Sequence, residues 1–422
     1  MHLEQRRQHH GYHAGRPTVV SWKCPEPYSK NEERRDRAHK MTSFIPFELE
    51  YPEPSGEIAM TETISDVGEH SYREEKHGIL SHAGLRDTDL KRVHDSVADS
   101  ELLDLGNAFG VIRASHVPEN EVKRSGSVFF STIAACTGDA DLTTRVTEEI
   151  KPLPEPTEPP VPGKDANMEE KQAYVSWMVG QQTAHEPTGD GLRWDLKKLH
   201  ERTGKIVNCG LRKCLVLALG VTVVPDYENG KRRTYDLNKL KWSRELVDKL
   251  STRMGISDCP LVVEPNCYHG KKARKECCIP PHRDAERKLV IGARLGDAPF
   301  FLMFIPFYDA KPVGVPIIRL LAPGTVYAFS IEAAGWSLTK DDKWSAKNHK
   351  GFHWKHAAGH NILPSFGKHK NAILSLISRW CEERDMPLPK WMLEEKVSGK
   401  KRKMASKHCT CPRTHNIRYV VT

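Results

Sequence analysis

Apolar and polar positions give the chain two textures. Over the first 85 residues, His, Arg, Glu, Ser and Pro are scattered without period and apolar runs stay short, the pattern of a poorly ordered segment. Leu90, Val93, Val97, Leu102 and Leu103 then recur near helical spacing and predict a small docking helix. Residues 151–164 carry six prolines, which remove backbone donors and favour an extended spacer, so a boundary is predicted there. Beyond it, 168–186 and 239–254 read as helices, the second with Leu240, Trp242, Leu246, Val247 and Leu250 on one broad face. Short apolar runs predict strands at Cys214–Val224, Leu261–Val263, Lys288–Leu295, Phe300–Phe307, Ile317–Leu321, Thr325–Ser330 and Ala372–Ser378. Asn229–Gly230 supplies a hairpin turn after the first of them. The last residues turn polar again, with a basic run at Lys400–Lys403. The expectation is an α+β chain in three parts: 1–164 poorly ordered and ending in the Pro-rich linker, 165–390 an antiparallel sandwich or barrel with helices outside, and 391–422 a basic tail.

Composition narrows the classes. Apolar residues are 38% and charged residues 28% of 422, so part of the chain is expected to stay outside any core. No run reaches the ~18 apolar residues of a membrane span, and the first ten residues lack the apolar stretch of a secretory signal. With 11 irregularly spaced cysteines, this reads as an intracellular protein with reduced thiols and no membrane partner. A net charge of +9 is compatible with an anionic partner such as nucleic acid.

The chemistry concentrates between Asn266 and Arg379. His282 and Asp284 stand two apart, and alternate residues of a strand share a face, so an imidazole and a carboxylate can converge on one metal ion. A second histidine from a distant strand would complete the two-His-one-carboxylate set of non-haem Fe(II) oxygenases. His349, His353, His356 and His360 all compete for that place. A rival set, Cys267, His269, Cys277, Cys278 and His282, offers zinc ligands at short spacing but matches no familiar zinc pattern.

This stretch resembles the AlkB-like group of Fe(II)/2-oxoglutarate-dependent dioxygenases. The motif Asn-x-Tyr is met by Asn266 and Tyr268, His-x-Asp by His282 and Asp284, and the distal His and terminal Arg by His356 and Arg379, 23 residues apart. Residues 225–231, 282–296, 324–330 and 355–359 resemble a branch found in algae and large viruses. The resemblance covers roughly 200–385 and implies a double-stranded β-helix (jelly-roll) core with flanking helices. It implies Fe(II) held by His282, Asp284 and His356, with 2-oxoglutarate and O2 as cosubstrates. Asn266 and Tyr268 become donors to 2-oxoglutarate, with Arg379 or Lys370 facing its distal carboxylate. The family's closing pattern departs at Ile373, Ser375 and Ile377, where only Arg379 matches. The implied activity is oxidative demethylation of a nucleobase in DNA or RNA. Hydroxylation of a protein side chain or small molecule, and a zinc- or ligand-binding module without turnover, stay open, as does oligomeric state. Glu286 matches an acid placed against the substrate base. The basic residues of 231–233 and 270–275 are candidates for a phosphate groove.

Overall fold

A computed structural model of the chain describes residues 58–66, 84–112, 116–122, 125–153, 167–174, 191–195, 197–199, 206–208, 213–225, 233–269, 278–284, 287–335, 351–360, 365–389 and 392–393. Glu286, Asn229–Gly230, His349, Cys277, the two basic loops, most of the Pro-rich run and the basic tail lie outside them. The architecture is mixed α+β and rich in strands. In chain order the strands are β1 (Ile58–Asp66), β2 (Glu101–Asp104), β3 (Ser127–Thr132), β4 (Lys197–Leu199), β5 (Ile206–Asn208), β6 (Lys213–Cys214), β7 (Val216–Ala218), β8 (Thr234–Asp236), β9 (Leu261–His269), β10 (Cys278–His282), β11 (Val290–Gly296), β12 (Phe300–Tyr308), β13 (Lys311–Pro312), β14 (Ile317–Leu321), β15 (Thr325–Phe329) and β16 (Phe352–Gly359). The helices are α1 (Asp87–Ser96), α2 (Leu105–Ile112), α3 (Glu119–Val122), α4 (Ile133–Thr137), α5 (Leu142–Ile150), α6 (Lys241–Met254) and α7 (Lys370–Glu382).

A large sheet runs β2-β3-β15-β11-β1-β9-β7-β8, with β6 also on β9; a second runs β10-β16-β12-β13, with β14 on β12. From β9 to β16 the chain alternates between the two sheets, except where β12, β13 and β14 follow one another in the smaller. One apolar core fills the space between the sheets, including Phe300, Phe304, Phe329 and Trp354. A second core lies on the other side of the large sheet, where Leu246 and Leu250 of α6 and Val146 and Ile150 of α5 cover Met60, Ile64, Ile291 and Leu295. Glu149 joins the two helices by accepting the Trp242 and Ser243 amides at 3.0 and 2.7 Å, at the start of α6. Gly255, at φ +73°, ends that helix in the left-handed region, donating to Ser251 and Thr252 carbonyls. No helix among the described residues is long and apolar enough to cross a membrane.

Two expectations are corrected. The described residues before 164 are not separate from the folded unit: β1 pairs antiparallel with β9 on one side and β11 on the other, and β2 and β3 extend the same sheet. Ala59, Met60 and Ile64 are fully buried there. The sequence of β1 alternates Met60, Glu62 and Ile64 with threonines, so its polar half masks a central strand. The run Ala372–Ser378 is helical, not extended. Ile373, Ile377, Trp380 and Cys381 are its buried positions, spaced by four, three and one, which is the repeat of α7.

Glu62 is the costly residue of β1. It faces the helix-covered core, fully buried, and neither carboxylate oxygen makes a hydrogen bond. Burial pushes its pKa up to about 8, with the Ser243 hydroxyl opposing and Glu149 adding to the rise. Because the folded value exceeds the unfolded one, the folded state holds a proton that the unfolded state releases. Stability should therefore fall as pH rises from about 4.5 to about 8, by ~1.4 kcal/mol per unit. Glu62→Gln should flatten that slope in thermal unfolding followed across this range. Parallel pH profiles for the two proteins would contradict a buried neutral Glu62.

Candidate metal centre

His282 ends β10, directly opposite His356 of β16, and the ladder is irregular between Ile279 and His282. That irregularity turns His282 toward His356, whose ring centre lies 4.2 Å away. Asp284 follows in the connection, where its amide donates to the Ala334 carbonyl at 3.0 Å. The carboxylate lies 3.3 Å from His356 Nε2 and 3.8 Å from His282 Nε2, and the three ligand atoms fall within 4.8 Å of one another. His282 Nδ1 is 2.9 Å from the Pro280 carbonyl, so it donates there and leaves Nε2 with its lone pair toward the centre. Phe329 covers His356 edge-on at 5.1 Å.

Electrostatics suit a cation. Burial alone would raise the Asp284 pKa, but the His356 charge and hydrogen bond, with His282 and Arg287, hold it well below the usual carboxylate range. A buried carboxylate kept ionised between two imidazoles is a ready metal ligand, and the donor set fits Fe(II). Among the described histidines, His356 is the one brought together with His282 and Asp284. His353 stacks on Phe307 instead, and His360 approaches the Tyr268 carbonyl at 3.3 Å. Cys267 lies in the helix-covered core, on the other face of β9 from Asn266 and Tyr268, which sets it apart from His282 and from a shared zinc site.

The remaining predicted residues divide. Asn266 and Tyr268 are buried on the face of β9 that looks between the sheets. Arg379 is exposed on α7, lining a surface hollow with Leu374, Ser378 and Met392, and Lys370 begins the same helix. Both therefore stand on α7, outside the group formed by His282, Asp284 and His356. The cation between the sheets is Arg294, which the sequence reading missed. It is fully buried on β11, opposite Thr61 of β1, which is opposite Asn266 on β9. It donates to the Met60 carbonyl, to Thr61 Oγ1 at 2.7 Å and to the Ala298 carbonyl at 3.1 Å, and lies 3.6 Å over the Phe300 ring. No carboxylate among the described residues pairs with it, and its Nε makes no hydrogen bond. Burial pulls its pKa down to about 9, against Tyr327, Tyr268 and Cys267, which pull it up. An arginine does not give up its proton at neutral pH, so the cation stays charged where burial penalises it.

Tyr327 links the two ends. Asp284, Tyr268 and Arg294 all act on its phenol, whose pKa rises chiefly through burial. Its ring lies so close over Gly292 that a Cβ there would come 2.0 Å from the ring carbon bearing the hydroxyl. Glycine at 292 is therefore the only residue that leaves this ring its place between β11 and the interior. The signal for Arg294 was present in the sequence: it is the lone charge inside an apolar strand, two residues from a glycine on the same face.

No family model matches the chain. An uncharacterised protein of Acanthamoeba polyphaga mimivirus is 30% identical over 157 residues, 37% of this chain and 56% of the relative. The chain thus spans little more than half the length of that viral relative.

Proposed function

We propose that the protein is an Fe(II)- and 2-oxoglutarate-dependent oxygenase on a jelly-roll core, resembling the AlkB-like group. The observation that carries this reading is the convergence of His282, Asp284 and His356 in one partly enclosed place. The strand orders are compatible with it. β9-β1-β11-β15 and β10-β16-β12-β14 are two four-stranded antiparallel sheets of the kind a double Greek key produces. The seven strands β9, β10, β11, β12, β14, β15 and β16 come in this order along the chain, with only the two-residue β13 between β12 and β14, and β1 takes the eighth place from the other end.

Bound iron, with 2-oxoglutarate and O2, supplies oxidation of a substrate C–H to C–OH, as 2-oxoglutarate becomes succinate and CO2. This chain's residues do the rest. His282, Asp284 and His356 offer three ligands and leave the other positions open. Arg294 takes the distal carboxylate in a pocket with Thr61, Asn266, Tyr268 and Tyr327, replacing Arg379 in that role. Phe304, Phe329 and Trp354 exclude water from the space between. A methylated nucleobase is the substrate class we infer from the resemblance.

Full-length protein reconstituted anaerobically with Fe(II) should form succinate from 2-oxoglutarate on admission of O2, and His282→Ala should not. Absence of succinate from a folded, iron-loaded protein would refute the reading. Arg294→Lys separates cosubstrate from metal. Trading a buried bidentate fork for a point charge should weaken 2-oxoglutarate binding by ~30-fold or more, since disrupting a buried charged pair costs at least ~2 kcal/mol. Metal affinity should stay within a few-fold. Titration of 2-oxoglutarate into the Mn(II)-loaded protein measures this, and unchanged affinity would remove Arg294 from the site.

A further inference from the structure

The outward face of the smaller sheet gathers cations directly behind the metal ligands. His282 is opposite His356, so the next residues, Arg283 and Lys355, are neighbours across the same pair of strands on the other face. Like charges so placed repel and destabilise a strand pair. Lys355 Nζ lies 4.3 Å over the Phe307 ring, and the His369 ring meets Phe307 edge-on at 5.0 Å. Lys368, exposed, precedes His369 in the short turn before α7. The stem of Arg283 is fixed too: a Cβ on Gly335 would meet its Cβ at 2.5 Å.

These groups act on one another. Lys355 and His369 both meet the Phe307 ring, Arg283 faces Lys355 across the strand pair, and Lys368 adjoins His369 in the chain. Neither Lys355 nor Lys368 has an ion pair among the described residues. Three segments therefore bring their charges to one place, and Phe307 fixes two of the groups. A face that holds positive charge together against its own repulsion is stabilised when an anion arrives.

We propose that Arg283, Lys355, Lys368 and His369 form a seat for a backbone phosphate of single-stranded nucleic acid. The inference rests on the oxygenase reading for its substrate and deepens it. A phosphate offers several oxygens to donors converging from different segments, and lysine ammonium groups bind it as point charges. A carboxylate, with two oxygens in a plane, is matched better by a single arginine fork. Arg283 stands between two of the proposed iron ligands in the chain, so a phosphate held here keeps its strand next to the oxidising centre.

The test is fluorescence anisotropy of a labelled, unmodified 15-nucleotide single strand with the full-length protein, from 50 to 300 mM KCl. The slope of log K against log salt falls by ~0.7 for each phosphate contact removed. Lys368→Glu, at an exposed position, and Lys355→Gln, which keeps the stem over Phe307, should each weaken binding, and the double variant should flatten the slope by about that amount, the one phosphate contact. Lys91→Ala, on α1, should leave it unchanged. Succinate formation without nucleic acid should be the same in all variants, so failure of the oxygenase reading would show in that assay alone. No oligonucleotide binding, an unchanged slope in the double variant, or binding of polyglutamate in its place would each overturn the phosphate seat.

Discussion

Asp284→Ala is expected to cost the protein its metal. Two imidazoles remain, but the carboxylate that neutralises half of the ion's charge is gone, and with it the one ligand within 4 Å of both histidines. Substituting a residue that merely supports a ligand lowers metal affinity by ~10–100-fold, so losing the ligand itself should exceed ~100-fold. Succinate formation should drop to background at any practical iron concentration. His353→Ala tests the specificity of the claim. That imidazole is near in sequence and stacked on Phe307, so its loss should leave iron binding within a few-fold. Iron titration followed by the metal's own spectroscopic signal distinguishes the two. Equal retention of iron in Asp284→Ala and His353→Ala would dissolve the triad.

The triad was legible because its information is local. Two ligands two residues apart need only a strand and a turn to meet, and the third lies in a run whose alternation, Phe352, Trp354 and His356, points it inward. The shared face of Asn266 and Tyr268 was legible for the same reason, both lying on one strand. The proposed carboxylate partner, Arg294, was not. Arg379 sits where a final strand would end, in a run whose alternating Ile and Leu also satisfies a helix, and the neighbours that decide between them are long-range. Arg294 lies next to Asn266 only through β1, and nothing in residues 261–296 announces that a strand from position 58 intervenes. The N-terminal strand was hidden by composition. Its threonines and glutamate look like solvent-facing positions until Thr61 is seen accepting from Arg294, and Glu62 is found buried under α6. Polar residues in a central strand mark a site or a cost, and β1 carries one of each.

Deleting residues 1–83, which removes β1 and leaves β2 and β3 in place, should abolish folding. Met60 and Ile64 are fully buried, and burial of each such side chain contributes ~1.5–3 kcal/mol. Larger still is the backbone term. β1 pairs with β9 from Ile58 to Asp66 and with β11 from Ala59 to Ile64, so its removal strands the inner edges of both neighbours in the middle of a sheet. The sum rivals the ~5–15 kcal/mol by which a whole domain is stable. Expressed from residue 84, the chain should be insoluble or lack cooperative unfolding and near-ultraviolet circular dichroism, although every metal ligand remains. A peptide covering 55–68 supplied in excess should restore part of the fold, because an open slot between two antiparallel strands is a template for strand addition. With Thr61 restored beside Arg294, 2-oxoglutarate binding should return with the fold. If the shortened chain unfolds cooperatively and binds iron unaided, β1 is an accessory, and the carboxylate pocket must be complete without it.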